Sequence, residues 1–204
     1  NPQAGLTFAS GLRSFLRQDP NIIMVGEIRD SETTELAIQA SLTGHLVFST
    51  LHTNNAAGAL PRLLDMHAEP YLIASTVTCV VGQRVVRQIC PSCKVPKKAT
   101  EITLAQISKI LGNLYDLKKH PVTTLYYGKG CAECNKTGYL GRIGIFEVLV
   151  VTEKISRMIL AHETAQTIEG MAIADGMITM KQDGFLKVIE GMTTIEEVLR
   201  VAEE

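Results

Sequence analysis

Four of the five cysteines stand in two Cys-x-x-Cys pairs, Cys90 with Cys93 and Cys131 with Cys134. Each pair can offer two thiolates to one ion, and four thiolates make the closed tetrahedral site of structural zinc. Two disulfides, free thiols or a redox motif are the alternative interpretations. Because two pairs occur together, we expect these four cysteines to hold one structural zinc ion, and we expect the fifth, Cys79, to be a small core residue.

A carboxylate follows a short apolar run at Gly26-Glu27. The run, Ile22 to Val25, predicts a strand that is buried on both faces of a parallel sheet. A carboxylate at such a strand end has the form of a Walker B element, in which it orients the water that attacks a γ-phosphate. The alternative is a surface glutamate that simply follows a buried strand.

A second group of polar side chains flanks the predicted strand 45–50. Thr43-Gly44-His45 precedes it, and Ser49 to Asn54, a run that includes His52, follows it. Histidine can donate a hydrogen bond to a phosphate oxygen in either charge state, so the group suits a phosphate sensor, although a structural histidine is the alternative.

The elements that must position these residues alternate as helix, strand, helix, strand over the first 50 residues. This order predicts an α/β layer with a parallel sheet, where functional residues lie at the carboxyl ends of strands. Further helices are predicted near 153–161, 164–175 and 193–202, the last with a capping box of Thr193 and Glu196. In the insert 94–130 only one helix, 104–111, can be predicted.

The composition is that of a folded globular protein: 204 residues, 46% hydrophobic, with a formal charge of −1. Such a balance provides no net basic field to attract nucleic acid or anionic lipid. No apolar run approaches the roughly 18 residues of a membrane-spanning helix, and no signal segment is recognisable. We therefore expect a cytosolic protein, and because the chain begins at Asn1 rather than at methionine, a portion of a longer one.

Several motifs together closely resemble the ATPases of type II secretion and of type IV pilus assembly, the extension motors. They are Gly5-Leu6-Thr7-Phe8, Leu12 to Pro20, Gly26-Glu27-Ile28-Arg29-Asp30, Leu42 to Asn54, and Asn135 to Glu147. The resemblance spans essentially the whole chain. It implies part of a RecA-like P-loop ATPase core in residues 1–88, a tetracysteine zinc subdomain in 89–146 and a helical C-terminal region in 147–204.

The resemblance also assigns roles to residues. It implies that Glu27 belongs to the Walker B element and that His45 and His52 belong to a histidine box. Ring ATPases use guanidinium groups to stabilise phosphate charge across subunit boundaries. Arginines expected at the nucleotide site or at a subunit interface are Arg13, Arg17, Arg29 and Arg62. The paired cysteines favour secretion or pilus extension over retraction.

No phosphate-binding loop G-x-x-x-x-G-K-[ST] occurs in the chain. Its single Gly-Lys pair, Gly128-Lys129, has Thr123 where the first glycine belongs and Gly130 where the hydroxyl belongs. The resemblance places this loop upstream, so ATP and Mg²⁺ are expected cofactors of the full-length protein. This portion alone is expected to bind ATP weakly and to be inactive.

The function implied is that of a cytoplasmic homo-hexamer that hydrolyses ATP to power a type II secretion pseudopilus or a type IV pilus. Its expected partner is an inner-membrane platform protein, through which it would associate peripherally with the membrane, and no nucleic acid is expected. A zinc-ribbon interaction module is one alternative, suggested by Lys94, Lys97 and Lys98 beside the cysteines; the charge balance and the scattered aromatic residues argue against it. A conjugation-type DNA-transfer ATPase is another, disfavoured by the cysteine subdomain.

Overall fold

The computed structural model describes residues 7–202, without the side chains of Phe8 and Ala9. Gly5 and Leu6 of the first resembling motif lie outside the described residues. Contacts divide the chain into two units. The first unit comprises Val80 and the described residues before it, together with Leu149–Met177; the second comprises Val81–Val148 and the described residues from Ile178 onward. The three-part division at 88/89 and 146/147 stays a prediction.

The described residues 7–202 contain nine α-helices and six strands. The helices are α1 Phe8–Phe15, α2 Ser31–Leu42, α3 Ala59–Asp65, α4 Pro70–Thr76, α5 Glu101–Leu111, α6 Glu153–Leu160, α7 Ala165–Ala174, α8 Met180–Ile189 and α9 Ile195–Ala202. The strands are β1 Ile22–Val25, β2 Leu46–Ser49, β3 Cys79–Ile89, β4 Lys94–Lys98, β5 Thr124–Gly128 and β6 Tyr139–Val150. None of the helices described in 7–202 is long and apolar enough to cross a membrane.

The first unit is built on a β1-α2-β2 crossover. β1 and β2 pair in parallel, from Ile22 opposite Leu46 to Val25 opposite Ser49. The Asp30 carboxylate accepts the Thr33 N–H at 2.7 Å and so begins α2, and Gly44 with φ 97° ends the turn after it. The apolar faces of the crossover and of the surrounding helices form one core. Its fully buried members include Ala40, Leu60, Ile73, Leu149, Ile155, Ile159 and Ile168.

Burial of β1 differs from the sequence prediction. Ile23 and Val25 are buried, whereas Ile22 is 62% and Met24 is 65% exposed. Side chains alternate across a strand, so helices packed on one side cover alternate residues only. The sheet that contains β1 has two strands within the described residues, and its other face is uncovered there; the prediction of burial on both faces is wrong for this structure.

The second unit contains two ribbons and three helices. β3 pairs with β6, and β4 pairs antiparallel with β5, from Lys94 opposite Gly128 to Lys98 opposite Thr124. The insert 94–130, which could not be placed from the sequence, is thus a ribbon whose two strands are connected through α5. One core cluster joins α5 to α8 and α9, and its buried members are Ile107, Leu111, Phe185, Val188 and Val198.

The structure adds one helix that was not predicted and corrects two local predictions. α8 was not predicted; Thr179 begins it in a capping box with Gln182. The predicted box of Thr193 and Glu196 is wrong, because α9 begins at Ile195, one residue later than a cap at Thr193 requires. The Thr193 hydroxyl donates to the Arg87 carbonyl at 2.8 Å. The Thr194 hydroxyl accepts the Glu197 N–H instead. Cys79, predicted to lie in the core, is exposed.

Candidate functional sites

The carboxyl ends of β1 and β2 meet at one edge of the parallel pair. Beyond its last pairing, two bonds continue the contact between the chains: the Thr50 hydroxyl donates to the Gly26 carbonyl at 2.6 Å, and the Ile28 N–H donates to the Thr50 carbonyl at 3.0 Å. Backbone atoms on both sides of Glu27 are therefore fixed. This explains how Glu27, although it lies in the connection after β1, keeps a defined position beside the end of β2.

The Glu27 carboxylate lies between two cationic or potentially cationic side chains. Its Oε2 atom is 2.6 Å from Arg29 Nε and 3.2 Å from His52 Nε2. The hydrogen bond from Arg29 lowers the pKa of Glu27; burial opposes it, and His52 acts in the same direction as Arg29. The carboxylate is consequently ionised at neutral pH, and it is 24% exposed, within reach of a ligand from solvent.

His45 lies at the opposite edge of the pair from Glu27. Its Nδ1 is 2.8 Å from the Ala40 carbonyl and 3.1 Å from the Thr43 hydroxyl. Because a carbonyl only accepts, this contact requires the proton on Nδ1. His45 precedes β2 and Glu27 follows β1, and a strand rises about 3.3 Å per residue. The structure therefore brings His52, but not His45, to Glu27.

The four arginines singled out from the sequence are separated in space. Arg29 contacts Glu27, while Arg13 Nη2 lies 2.9 Å from Glu32 Oε1 in an exposed ion pair. Arg17 follows α1, Arg62 lies in the last turn of α3, and both are exposed. Of the four, the structure places only Arg29 in contact with the Glu27 carboxylate.

The four paired cysteines form one cluster, with all four sulfur atoms within 4.8 Å of one another. Measured Sγ–Sγ distances are 3.9 Å for Cys90 and Cys131, 3.8 Å for Cys93 and Cys134, and 3.7 Å for Cys131 and Cys134. A disulfide would need about 2.05 Å. Zn–S bonds of about 2.3 Å in a tetrahedron place the sulfurs about 3.8 Å apart, so the donor set and its spacing fit zinc.

Both ribbons of the second unit converge on this cluster. β3 leads into Cys90, whose N–H donates to the Gly138 carbonyl at 3.0 Å just before β6. β4 begins after Cys93, whose carbonyl accepts the Lys129 N–H at 3.0 Å just after β5. One backbone hydrogen bond thus joins Cys90 to the chain after the second pair, and another joins Cys93 to the chain before it.

Backbone N–H groups point at the sulfur atoms. Gly130 donates to Cys93 Sγ at 3.3 Å, and Gly138 donates to Cys134 Sγ at 3.3 Å. The N–H of Cys131 also donates to Cys134 and lowers the pKa of that thiol to about 6, whereas burial raises the pKa of Cys93 to about 12. The cluster therefore includes one thiol that ionises readily and one that keeps its proton unless a cation draws it off.

Sequence reasoning missed the glycines that allow this convergence. A Cβ atom on Gly128 would lie 2.0 Å from the Gly138 carbonyl oxygen, and one on Gly130 would lie 2.6 Å from the Lys136 carbonyl oxygen. The Ser92 hydroxyl also donates to the Glu133 carboxylate, which joins the two Cys-x-x-Cys loops. The glycines on either side of the second pair were the available signal for such a close approach.

Comparison with known proteins gives consistent matches. The family model described as type II/IV secretion system protein matches residues 1–200. The type IV pilus assembly ATPase PilB of Thermus thermophilus is 49% identical over 98% of this chain and 22% of its own length. The type II secretion system protein E of Pseudomonas aeruginosa is 48% identical over 100% of this chain and 39% of its own length.

Solved structures resemble the chain in fold. The Legionella pneumophila ATPase DotB has a TM-score of 0.62 at 22% identity, covering 97% of this chain and 43% of its own. The pilus retraction motor PilT with bound ADP has a TM-score of 0.63 at 24% identity, covering 97% and 44%. The α/β fold is therefore that of secretion ATPases, and the chain spans well under half the length of the proteins it matches.

Proposed function

The chain belongs to the type II/IV secretion system protein family, and from this premise we propose that it is part of a hexameric ATPase that powers a type II secretion pseudopilus or a type IV pilus. Curated relatives carry both names at nearly equal identity, 49% and 48%, so identity does not separate the two machines. The zinc-ribbon module and the conjugation-type motor have no comparable support.

The observation that carries this proposal is the Glu27 carboxylate at the carboxyl edge of β1 and β2. It is ionised, partly exposed and held by Arg29 and His52. A carboxylate so placed can accept a hydrogen bond from a water molecule and orient it. The residues fit the Walker B role, for which a fixed backbone and a low pKa are the physical requirements.

The nucleotide would be held jointly by this edge and by a phosphate-binding loop contributed by sequence beyond the chain. Mg²⁺–ATP would supply the γ-phosphate and the charge neutralisation that phosphoryl transfer needs. Glu27 would position the attacking water, and Arg29 and His52 would keep the carboxylate ionised and oriented. We retain His45 as a proposed phosphate sensor, and Arg13, Arg17 and Arg62 as proposed nucleotide or interface contacts.

For the cysteine cluster we propose one structural zinc ion, bound by Cys90, Cys93, Cys131 and Cys134. The sulfur spacing supports this, and so does the donation of backbone N–H groups to the sulfur atoms. The residues would supply four thiolates and a rigid framework. We further propose cytoplasmic location with peripheral attachment to the inner membrane through a platform protein, as the resemblance carried by the sequence motifs leads us to expect.

Glu27→Gln in the longer protein tests the catalytic proposal. The amide keeps the shape but loses the charge, so ATP should still bind while hydrolysis falls at least a hundredfold. Phosphate release and nucleotide affinity would be measured together. Glu35→Gln, which changes an exposed carboxylate on α2 that accepts a hydrogen bond from Gln39 at 3.2 Å, serves as the control and should leave turnover near the parent value. Hydrolysis undiminished in Glu27→Gln would remove Glu27 from this role.

A further inference from the structure

A small apolar cleft opens in the insert, between the end of β4, α5 and the segment that precedes β5. It is walled by Ala99, Leu104, Leu117, Pro121 and Val122 and has a volume of about 250 Å³. Nothing in the proposed ATPase mechanism uses it. An apolar cavity of about 150 Å³ is enough to bind one benzene molecule. This cleft can therefore hold one aromatic or branched aliphatic side chain.

The segment around the cleft carries a strong positive charge. Residues 94–130 contain seven lysines and no arginine, against the acidic residues Glu101 and Asp116, which gives +5 in a chain whose total is −1. The remainder of the chain is correspondingly −6. Three exposed lysines either line the cleft or adjoin a lining residue in sequence: Lys97, Lys98 and Lys118. Exposed Lys119 follows Lys118.

These lysines are largely unneutralised by the insert itself. Lys119 Nζ approaches Asp116 at 3.9 Å, in a pair that is mostly exposed and therefore weak. An apolar recess with a cationic rim is complementary to a carboxylate-rich ligand that projects one apolar group.

We propose that this cleft docks an acidic segment of a partner protein, with one leucine-like or phenylalanine-like side chain inserted and carboxylates paired with the rim lysines. The site would be an anchor pocket with electrostatic steering, as is common where a short segment binds a folded module. It is independent of the ATPase proposal, since it uses no residue of the Glu27 edge or of the cysteine cluster.

Fluorescence anisotropy on the 204-residue chain tests the proposal without any substitution. The probe is a labelled glutamate-rich peptide with one central leucine, compared with the same peptide carrying serine there. We expect the leucine peptide to bind at least tenfold more tightly at low salt, and both to weaken as salt is raised. Equal affinity of the two peptides, or no binding of either, would overturn the proposal.

Variants locate the site. Lys98→Glu with Lys118→Glu should weaken leucine-peptide binding at least tenfold, and Ala99→Phe, which fills the cleft, should reduce it to the level of the serine peptide. Lys109→Glu with Lys129→Glu is the matched control, because it makes the same change of charge in the insert away from the cleft. An equal loss in the control would show general charge attraction and refute the site.

A lipid surface is the competing occupant. Sedimentation with phosphatidylglycerol vesicles would be measured for the parent chain and the Lys98/Lys118 variant. Vesicle binding that depends on these lysines, combined with peptide binding that does not, would assign the rim to membranes and overturn the proposal. Peptide binding that depends on both the lysines and the open cleft supports it.

Discussion

Two carboxylates show how surroundings set the behaviour of a single residue. Glu27 is partly exposed and held by one arginine and one histidine, whereas Glu197 is 2% exposed and held by two arginines. Arg87 reaches Glu197 Oε1 at 2.6 Å and Arg200 reaches Oε2 at 2.9 Å, while the Arg87 N–H adds a third contact at 3.0 Å. The Glu27 carboxylate is therefore accessible to a ligand, whereas the Glu197 carboxylate is a structural link between β3 and α9.

Glu197→Gln should destabilise the chain by about 2 kcal/mol at pH 7, because it removes the charge on which two arginines and a backbone N–H converge. Urea denaturation followed by circular dichroism would measure the change. Glu190→Gln on the exposed end of α8 is the control and should change stability by less than about 0.5 kcal/mol. Equal stability of the parent and Glu197→Gln would contradict the structural role.

The stability difference between the parent and Glu197→Gln should also depend on pH. Burial raises the pKa of Glu197, but hydrogen bonds from Arg87 and Arg200 outweigh it and lower the pKa to about 2, from an ordinary value of 4.5. A lowered folded-state pKa adds stability above the unfolded value, and that stability is lost as the pH falls toward 2. The stability difference between parent and Glu197→Gln should therefore shrink below pH 4.5. A difference that stays constant to pH 3 would contradict this.

Residue types and their spacing predicted which chemistry the chain can do, but they did not predict which side chains contact each other. The two Cys-x-x-Cys pairs predicted a four-cysteine cluster, and the sulfur positions confirm the cluster. Nothing local predicted the pairing of Arg87 with Glu197, which lie 110 residues apart in sequence. The capping prediction at Thr193 was wrong by one residue, and the hydrogen bond from the Thr193 hydroxyl to the distant Arg87 carbonyl could not be predicted locally either. Long-range partners are set by the fold and are not visible in a window of sequence.

At the level of elements, the ribbons around the cysteines depend on backbone contacts that only glycine permits. Gly128 and Gly138 approach so closely that a single methyl group on either would meet the other's carbonyl oxygen. Gly128 ends β5 three residues before Cys131, and Gly138 lies four residues after Cys134. The position of the pair therefore depends on the absence of side chains at these two points.

Gly128→Ala should lower the free energy of unfolding by more than about 2 kcal/mol and weaken metal retention, because backbone atoms must move to admit the methyl group. Gly170→Ala in α7 is the matched control: nothing lies within 4 Å of the added carbon. Since alanine is the better helix former, the control should gain about 0.5–1 kcal/mol. Denaturation midpoints and release of metal to a colorimetric chelator would be compared. Equal midpoints for parent and Gly128→Ala would contradict the close approach.

The crossover of the first unit was largely predictable because its signals are local: an apolar run, a capping aspartate and a glycine after the helix. Burial of β1 was not predictable, because it depends on which elements pack on each face of the sheet. The insert could not be predicted because its two strands pair across an intervening helix, and their apolar and charged residues have no clear period.

For the whole molecule, the five thiols fall into two classes. Cys79 is exposed and lies outside the cluster, and the other four surround one point. With zinc bound, a thiol reagent should titrate one cysteine per folded chain, and five after chelation in denaturant. Elemental analysis should find one zinc per chain. Cys79→Ser should abolish the fast reaction and leave the zinc content unchanged, whereas five fast thiols in the folded parent would refute the metal proposal.

The convergence of two ribbons on the cysteines has an evolutionary consequence. With Cys93 and Cys131 bound to one centre, residues 94–130 form a closed loop whose ends are fixed independently of what lies between them. Doubling the length of such a loop costs only about 0.6 kcal/mol. The exposed connections of the insert can therefore change in length at small cost, whereas α5 must keep the face that packs against α8 and α9. A motor could alter its partner surface there while its nucleotide edge stays the same.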